Sequence, residues 1–238
     1  MNIAIIGYGK MGQAIEKIAQ DRKHNIVYRI ENTSELESVE KEDIDVAIEF
    51  SQPDVAFSNI ITSLKKGIPT ISGTTGWLDR YQEVVDLCNS RKGTFLYASN
   101  FSIGVNLFFE LNDWLSKKII NHNFDVEIEE IHHTQKKDSP SGTALKLAED
   151  IIENDANISS WINEKSTDHN TLGIISKRIA NIPGTHTVSY KSPLESINIE
   201  HIAHDRNVFA QGAVLVAEWI LKKQGVLSMS DFINDTLK

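Results

Sequence analysis

The sequence predicts an α/β fold, with a parallel sheet near the N-terminus and a second α+β domain after it. Two observations indicate this. Short apolar runs alternate strictly with amphipathic stretches through the first hundred residues, as in parallel sheets whose crossovers are helices. The second half instead carries strands of alternating polar and apolar residues, typical of a sheet that faces solvent on one side. A chain of 238 residues is long for one domain, so two small domains, or one core with a large insertion, are expected.

The first hundred residues predict the parallel sheet element by element. The predicted strands are residues 3–6, 25–31, 45–51, 69–72 and 94–98, and the predicted helices are residues 12–20, 53–66 and 79–90. Pro53 suits the first turn of its helix, and Gly67 marks where that helix stops. Strands separated by helices in this way pair in parallel through right-handed crossovers.

The rest of the chain predicts the second domain and a returning helix. The predicted elements are helices at 105–120 and 144–153, a strand at 124–133, a polar loop at 155–171, strands between 174 and 204, and a last helix at 208–224. Val216 and Ile220 lie on one apolar face of that last helix. We expect this helix to pack on the first domain. The first domain would then comprise residues 1–101 and 206–238, and the second residues 102–205.

Charge and composition exclude several classes of protein. The formal net charge of −9 disfavours non-specific nucleic-acid binding, because that requires a basic surface. The single cysteine, Cys88, rules out an internal disulfide and a cysteine-rich metal site, and we predict no metal ion. No apolar run approaches the ~20 residues of a membrane span, and no signal peptide precedes the first strand. A cytoplasmic protein without membrane contact is expected.

The turn after the first strand has the spacing of a dinucleotide-binding loop. Gly7 permits the tight turn, Gly9 lets the backbone approach a pyrophosphate, and Gly12 lets the helix pack closely on the strand. The following helix N-terminus offers N–H groups and partial positive charge to phosphates. Glycines also occur in plain turns, but a strand before the loop and a helix after it favour a Rossmann-type site. The predicted cofactor contacts in this loop are Gly7, Tyr8, Gly9, Lys10, Met11 and Gly12.

An acidic residue at the end of the second strand bears on which dinucleotide binds. Glu31 follows the loop by about 20 residues, where a carboxylate can bond the adenosine ribose hydroxyls. Glu31 favours NAD, because it would repel a 2′-phosphate, and the neutral Asn32 does not attract one. Lys10 offsets part of this repulsion, so we expect both NADH and NADPH to be usable.

A second group of reactive and charged residues lies in the middle of the chain. His132 and His133 end a predicted strand, so their side chains point to opposite faces, and imidazoles suit proton transfer near neutral pH. Lys136 and Lys137 follow. The next run, Ser-Pro-Ser-Gly-Thr, starts a helix in which Ser is the cap, Pro lies in the first turn and Gly142 lets a ligand approach. Each feature alone is more often structural, but together they predict a site for an acidic substrate.

The stretch from Glu127 to Ala144 resembles the signature of the 4-hydroxy-tetrahydrodipicolinate reductase (dihydrodipicolinate reductase) family. The matching positions are Glu127, Ile128, Glu130, His132, Lys136, Asp138, Pro140, Ser141, Gly142, Thr143 and Ala144. The glycine loop agrees with the same family, as do residues 73–76, 98–106 and 201–213. The resemblance therefore extends along nearly the whole chain.

This resemblance implies an enzyme that reduces 4-hydroxy-tetrahydrodipicolinate, a small dicarboxylate, to tetrahydrodipicolinate with loss of water. The reductant would be NADH or NADPH, and the step belongs to the diaminopimelate route to lysine. His132 matches the proton donor and acceptor, Lys136 the proton donor, and Arg206 a hinge between the domains. The matching substrate-binding positions are His133, Gly142 and Thr143. The positions that line the nicotinamide are Gly73, Thr74, Thr75, Ala98, Ser99, Asn100 and Phe101.

The family also implies a homotetramer, with the first domain binding the dinucleotide and the second serving for substrate binding and oligomerisation. Two departures from the family pattern stand out. The glycine loop is one residue shorter than the commoner form, with Lys10 in place of an arginine, and Ala180 stands where a glycine is more usual. From the residues alone, two alternatives stay open: a different two-domain dehydrogenase, and a regulator that binds NAD(P)H without chemistry.

Overall fold

The computed structural model describes residues 1–119 and 122–236. They form two compact units. Unit 1 contains Met1–Ile103 together with the segment from Asn207 onward, and unit 2 contains Gly104–Arg206. Among these described residues, no helix combines the length and the apolar character needed to cross a membrane.

Strands and helices alternate along unit 1 and then give way to a strand-rich unit 2. In chain order the strands are β1 (Asn2–Ile6), β2 (Asn25–Ile30), β3 (Val46–Glu49), β4 (Thr70–Ser72), β5 (Thr94–Tyr97), β6 (Asp125–His132), β7 (Ser160–Ile162), β8 (Thr171–Arg178), β9 (Gly184–Lys191), β10 (Ser196–Ala203) and β11 (Gly225–Leu227). The helices are α1 (Lys10–Asp21), α2 (Thr33–Ser38), α3 (Pro53–Lys65), α4 (Tyr81–Ser90), α5 (Ile103–Ile119), α6 (Gly142–Asn154), α7 (Asn207–Ile220) and α8 (Met229–Thr236).

Unit 1 is built on a six-stranded sheet in the order β11-β5-β4-β3-β1-β2, and all of its strand pairs are parallel. Every residue of β3 is buried, which explains why this strand reads as a continuous apolar run ending in Glu49. Helices α1 and α7 pack together in the same apolar core, which contains Ile15, Val216 and Ile220. The predicted α/β class and its parallel sheet are confirmed.

Unit 2 is built on a mixed sheet in the order β10-β9-β6-β8-β7. Its central strand β6 runs antiparallel to β9 and parallel to β8. Helices α5 and α6 share one apolar core with this sheet, in which Phe108 and Leu147 meet Ile128. Because side chains alternate along a strand, residues two apart from Ile128 also face the buried side, and Glu130 and His132 are both buried there.

Several predicted boundaries differ from the structure. The polar stretch 155–171 was expected to be a loop, which is wrong: β7 lies within it and pairs in parallel with β8. All three residues of β7 are exposed, so no apolar pattern marks the strand. Helix α2 was not predicted either, because its six residues bury only Leu36. Residue 120, the predicted end of α5, and residues 237–238, the end of the predicted first domain, lie outside the described residues.

Candidate active site

The predicted cofactor residues of unit 1 lie at one edge of its sheet. The glycine loop follows β1, Glu31 follows β2, Gly73 follows β4, and Ala98 follows β5. Since parallel strands end at the same edge, the fold brings together segments that are up to ninety residues apart. Ligands of open α/β sheets bind outside this carboxyl edge.

The glycine loop is shaped for close approach of a ligand. Gly7 has a φ of +91°, and a Cβ there would lie 2.2 Å from the Phe50 carbonyl oxygen. A Cβ on Gly12 would lie 2.3 Å from the Gly7 carbonyl oxygen, so only glycine lets α1 pack here. A Cβ on Gly9, by contrast, would meet no atom within 4 Å. Gly9 is also the cap of α1 and supplies no side chain to the first-turn N–H groups, which fits a pyrophosphate seated on them.

The positive charge nearest to Glu31 in sequence is already engaged. The guanidinium of Arg29 pairs with the buried Glu16, which also accepts from the Tyr8 hydroxyl. This pairing lowers the pKa of Glu16 despite its partial burial. Glu31 itself is exposed, and its backbone N–H donates to Oε2 of Glu35 at 2.8 Å. Two carboxylates therefore lie at the end of β2, and the nearby Arg29 is already paired with Glu16.

The loop after β4 is held by a glutamate that the sequence analysis did not single out. Glu49 is fully buried and accepts hydrogen bonds from the Ser72 hydroxyl at 2.5 Å, the Thr74 hydroxyl at 2.9 Å and the Ser51 N–H at 2.9 Å. Gly73 packs against the Phe50 ring so tightly that a Cβ would lie 2.1 Å from it. A charged residue ending a buried strand was the signal that could have revealed this anchor.

The loop after β5 packs against the same aromatic ring. Phe101 is buried, and its ring centroid lies 5.5 Å from that of Phe50. Gly212 of α7 touches the Phe101 backbone, where a Cβ would lie 1.7 Å from the carbonyl oxygen. Asn100 accepts from the Ser102 N–H at 2.8 Å. Within this loop Ala98 is buried and Ser99 is exposed, so the predicted contacts include side chains on both sides of the backbone.

In unit 2, the two adjacent histidines differ in their surroundings: His132 ends β6 and is buried, whereas His133 follows the strand and is half-buried. His132 is buried, and its Nδ1 lies 3.3 Å from Oε2 of Glu130, at an ion-pair distance but without hydrogen-bond alignment. Arg206 donates to Nε2 of His133 at 2.5 Å. Partial burial, and next the charge of Arg206, lower the pKa of His133. Arg206 was expected to form a hinge, and its contact with His133 was not predicted from the sequence.

The two lysines after β6 differ in their contacts. Lys136 Nζ donates to Oδ2 of Asp138 at 2.8 Å, and the Lys136 backbone N–H closes a turn on the His133 carbonyl at 3.1 Å. Lys137 is exposed. The paired lysine is therefore the one whose ammonium is held close to the histidines.

The predicted helix start is present, with one correction. Ser141 is the cap of α6, and its hydroxyl oxygen accepts from the Ala144 N–H at 3.2 Å. Pro140 was expected in the first turn, which is wrong: it precedes the cap, in a cis peptide bond with Ser139. Gly142 is exposed, and a Cβ there would meet no atom within 4 Å. The first turn of α6 thus has open space at Gly142, as an approaching anion requires.

The buried Glu130 connects β6 with the start of α6. Its carboxylate is 0% exposed and accepts from the Ser141 N–H at 3.1 Å, while the Arg178 guanidinium lies 3.3 Å away. Burial alone raises the pKa of Glu130, but contacts with His132 and Ser141 outweigh it and hold the carboxyl well below its usual range. Burial lowers the pKa of the neighbouring His186 to about 3. Glu130 is therefore a buried permanent anion beside a buried neutral imidazole.

The donor atoms of Glu130, His132 and His186 lie within 4.8 Å of one another, a spacing that one metal ion could use. Arg178 already neutralises Glu130, and the Ser141 N–H contacts both carboxylate oxygens. The cluster is thus charge-balanced by protein groups. A cavity of about 710 Å³ elsewhere in unit 2 contains none of the predicted site residues among its lining, and its Lys191 and Glu127 pair with each other.

Family models match nearly the whole chain. A family model described as dihydrodipicolinate reductase, N-terminus, matches residues 1–101, and one described as dihydrodipicolinate reductase, C-terminus, matches residues 104–233. A 4-hydroxy-tetrahydrodipicolinate reductase of Christiangramia forsetii is 47% identical over 239 residues, covering 100% of both chains. One of Methanosarcina acetivorans is 34% identical and covers 97% of this chain and 88% of its own.

Solved structures show the same fold. A dipicolinate-bound dihydrodipicolinate reductase from Paenisporosarcina sp. TG-14 has a TM-score of 0.79 at 23% identity, covering 96% of this chain and 97% of its own. An amine dehydrogenase from Mycobacterium smegmatis has a TM-score of 0.63 at 8% identity, covering 95% and 94%. Both likenesses show the fold alone, whereas the family models and the sequence relatives agree on one kind of enzyme. The chain therefore belongs to the dihydrodipicolinate reductase family of oxidoreductases.

Proposed function

We propose that this chain reduces 4-hydroxy-tetrahydrodipicolinate to tetrahydrodipicolinate, with loss of water and oxidation of NADH or NADPH, in the diaminopimelate route to lysine. Unit 1 would bind the dinucleotide, and unit 2 would bind the substrate and form the subunit contacts. The relatives' shared name supports the reaction, and the dipicolinate bound to the Paenisporosarcina enzyme supports a cyclic dicarboxylate as ligand.

One observation in the structure of this chain supports the proposal. The buried His132 lies beside the capped N-terminus of α6, and Glu130 contacts both. A substrate carboxylate would be bound by the first-turn N–H groups at Gly142 and Thr143, and His133 would contribute to the same site. A proton donor would then lie next to the bound ring. A protein that only senses dinucleotides has no use for this arrangement.

The protein's part in the reaction is binding and protonation. When bound, the nicotinamide supplies one hydride to the substrate ring. One water leaves, and one proton must reach the ring as negative charge builds on it. His132 or Lys136 can donate that proton. Asp138 accepts from the Lys136 ammonium at 2.8 Å and so holds it in place.

The residues around β2 favour NADH as the reductant. Glu31 would bond the ribose hydroxyls, and a 2′-phosphate would meet both Glu31 and Glu35. Arg29 cannot offset this repulsion without leaving Glu16. Lys10, in the glycine loop, keeps NADPH usable. The resemblance also supports a cytoplasmic homotetramer, which light scattering of the purified protein would test.

A coupled assay tests the reaction. The substrate is made in place by the preceding synthase from pyruvate and aspartate semialdehyde, and the absorbance of the reduced cofactor is followed. We expect oxidation that requires both the synthase and this chain. Cofactor binding without oxidation of NADH or NADPH would overturn the proposal and favour a regulator. Oxidation only with an unrelated amino acid or sugar would favour a different dehydrogenase.

A further inference from the structure

Glu130 is a buried carboxylate of unit 2 that contacts several charged and polar groups. It carries a negative charge at 0% exposure, a state that is costly unless several partners compensate it. Four groups from four segments surround it: His132 of β6, Ser141 before α6, Arg178 of β8 and His186 of β9. An apolar residue would fill this place at less cost if packing were the sole requirement.

The two carboxylate oxygens of Glu130 contact different side chains. Oε2 lies 3.3 Å from His132 Nδ1, and Oε1 receives Arg178 at 3.3 Å. The Ser141 N–H reaches both oxygens at 3.1 Å. A single carboxylate is therefore in contact with the ring expected to carry the proton and with the cap of the helix expected to bind the substrate.

We propose that Glu130 is a positioning residue, which fixes the orientation and proton location of the His132 ring and at the same time fixes the first turn of α6. This inference rests on the proposed function, because it assigns the consequence to turnover. A carboxylate facing Nδ1 requires a proton on that nitrogen, since two lone pairs would repel. The other nitrogen, Nε2, is then left for the substrate.

His186 completes the arrangement without carrying charge. Its Nε2 lies 3.0 Å from the Ser141 hydroxyl oxygen, and that oxygen already accepts from the Ala144 N–H. A neutral His186 can accept the hydroxyl proton, so the Ser141 side chain is satisfied on both sides. The cap of α6 is thus linked to β9 by its side chain and to β6 by its backbone.

Glu130→Gln tests the role, because it keeps the shape and one acceptor oxygen but removes the charge. We expect kcat to fall at least tenfold, while KM for the dinucleotide stays unchanged. The pH profile of kcat should change as well, because the carboxylate 3.3 Å from the donor ring is replaced by a neutral amide. The other charged and titratable groups stay in the variant: His186 lies 4.9 Å from the His132 ring, His133 is its neighbour in sequence, and Arg178 contacts Glu130. The change in the profile therefore reports the loss of Glu130.

Two further variants separate positioning from stability. Asp150→Asn removes another buried carboxylate, one that pairs with Lys146 on α6 away from the cluster. It should leave kcat and its pH profile unchanged, whatever its effect on the denaturation midpoint. Ser141→Ala keeps the backbone N–H to Glu130 but loses the cap, so it should raise KM for the dicarboxylate severalfold with a smaller change in kcat. An unchanged kcat and pH profile in folded Glu130→Gln would overturn the proposal.

NMR of the unsubstituted protein gives a test that depends neither on turnover nor on the folding of Glu130→Gln. NMR of the imidazole nitrogens, assigned by the signal missing in His132→Gln, reports which ring nitrogen of neutral His132 carries the proton. We expect Nδ1. A proton on Nε2 would overturn the proposal even if the reaction is confirmed, whereas a protein with the Nδ1 form and no oxidation of NAD(P)H would refute the proposed function instead.

Discussion

Gly184, the first residue of β9, lies against the imidazole of His132 so closely that a Cβ on it would be 3.1 Å from Nε2. Glu130 is on the opposite side of the same ring, 3.3 Å from Nδ1. The ring is thus held between a carboxylate and a bare stretch of backbone, and the missing side chain at residue 184 leaves Nε2 accessible.

Gly184→Ala should displace the His132 ring and impair turnover more than stability. The added methyl group occupies space next to Nε2, and a small misplacement of a catalytic group is enough to cost about tenfold or more in kcat. Steady-state kinetics and a urea unfolding curve measure the two effects. Gly173→Ala is the matched control in the same sheet, because its Cβ would clash with the Ser166 backbone nitrogen at 2.8 Å and not with His132. A control that lost turnover equally would argue against a specific effect.

His132→Ala and Lys136→Ala should each lower kcat by about 10²-fold, the usual scale for loss of a general acid. Lys137→Ala is the control, since Lys137 is exposed and Lys136 alone of the two has its ammonium paired with Asp138. The coupled assay gives kcat, and fluorescence titration with NADH gives cofactor affinity, which should not change because the glycine loop belongs to the other unit. Near-normal turnover in both variants would remove these residues from the chemistry.

The sequence was sufficient for the parts of the fold that follow simple periodicity. β3 is buried along its whole length and α1 has one apolar face, so both were predicted. β7 and α2 bury almost nothing and depend on pairing and capping that arise only in the folded chain. Likewise the motif contained His132 and Glu130, but the pairing of Glu130 with Arg178 joins residues 48 positions apart, across two strands. Such contacts have no local signature.

Glu31→Ser should shift cofactor preference toward NADPH. The substitution removes one of two carboxylates at the end of β2, and with it both the proposed bond to the ribose hydroxyls and the expected repulsion of a 2′-phosphate. We expect the ratio of kcat/KM for NADH to that for NADPH to fall by about tenfold, which corresponds to about 1.4 kcal/mol. Glu37→Ser, on the exposed surface of α2, removes the same charge and should leave the ratio unchanged. An equal change in both variants would mean that overall charge, not Glu31, sets the preference.

Acid should destabilise the protein in a way that depends on His186. Burial lowers the pKa of this imidazole to about 3, whereas in the unfolded chain it titrates near 6.5. Between these values the unfolded state binds a proton that the folded state does not, so stability falls as pH falls, by up to about 1.4 kcal/mol per pH unit. Glu130 has a lowered pKa and acts in the same direction, but only below its unfolded value of 4.5.

Urea unfolding at several values between pH 7 and pH 5 measures this effect. His186→Asn should be less stable than the unsubstituted protein at pH 7, because the contact with Ser141 is weakened, yet its stability should depend less steeply on pH. The control is His169→Asn, since His169 lies exposed beside Asp125 and its removal should leave the slope as it was. If His186→Asn keeps the full slope, the proton uptake that drives acid unfolding occurs at other groups. The partly buried His201 and His133, both with lowered pKa values, would be the next to replace.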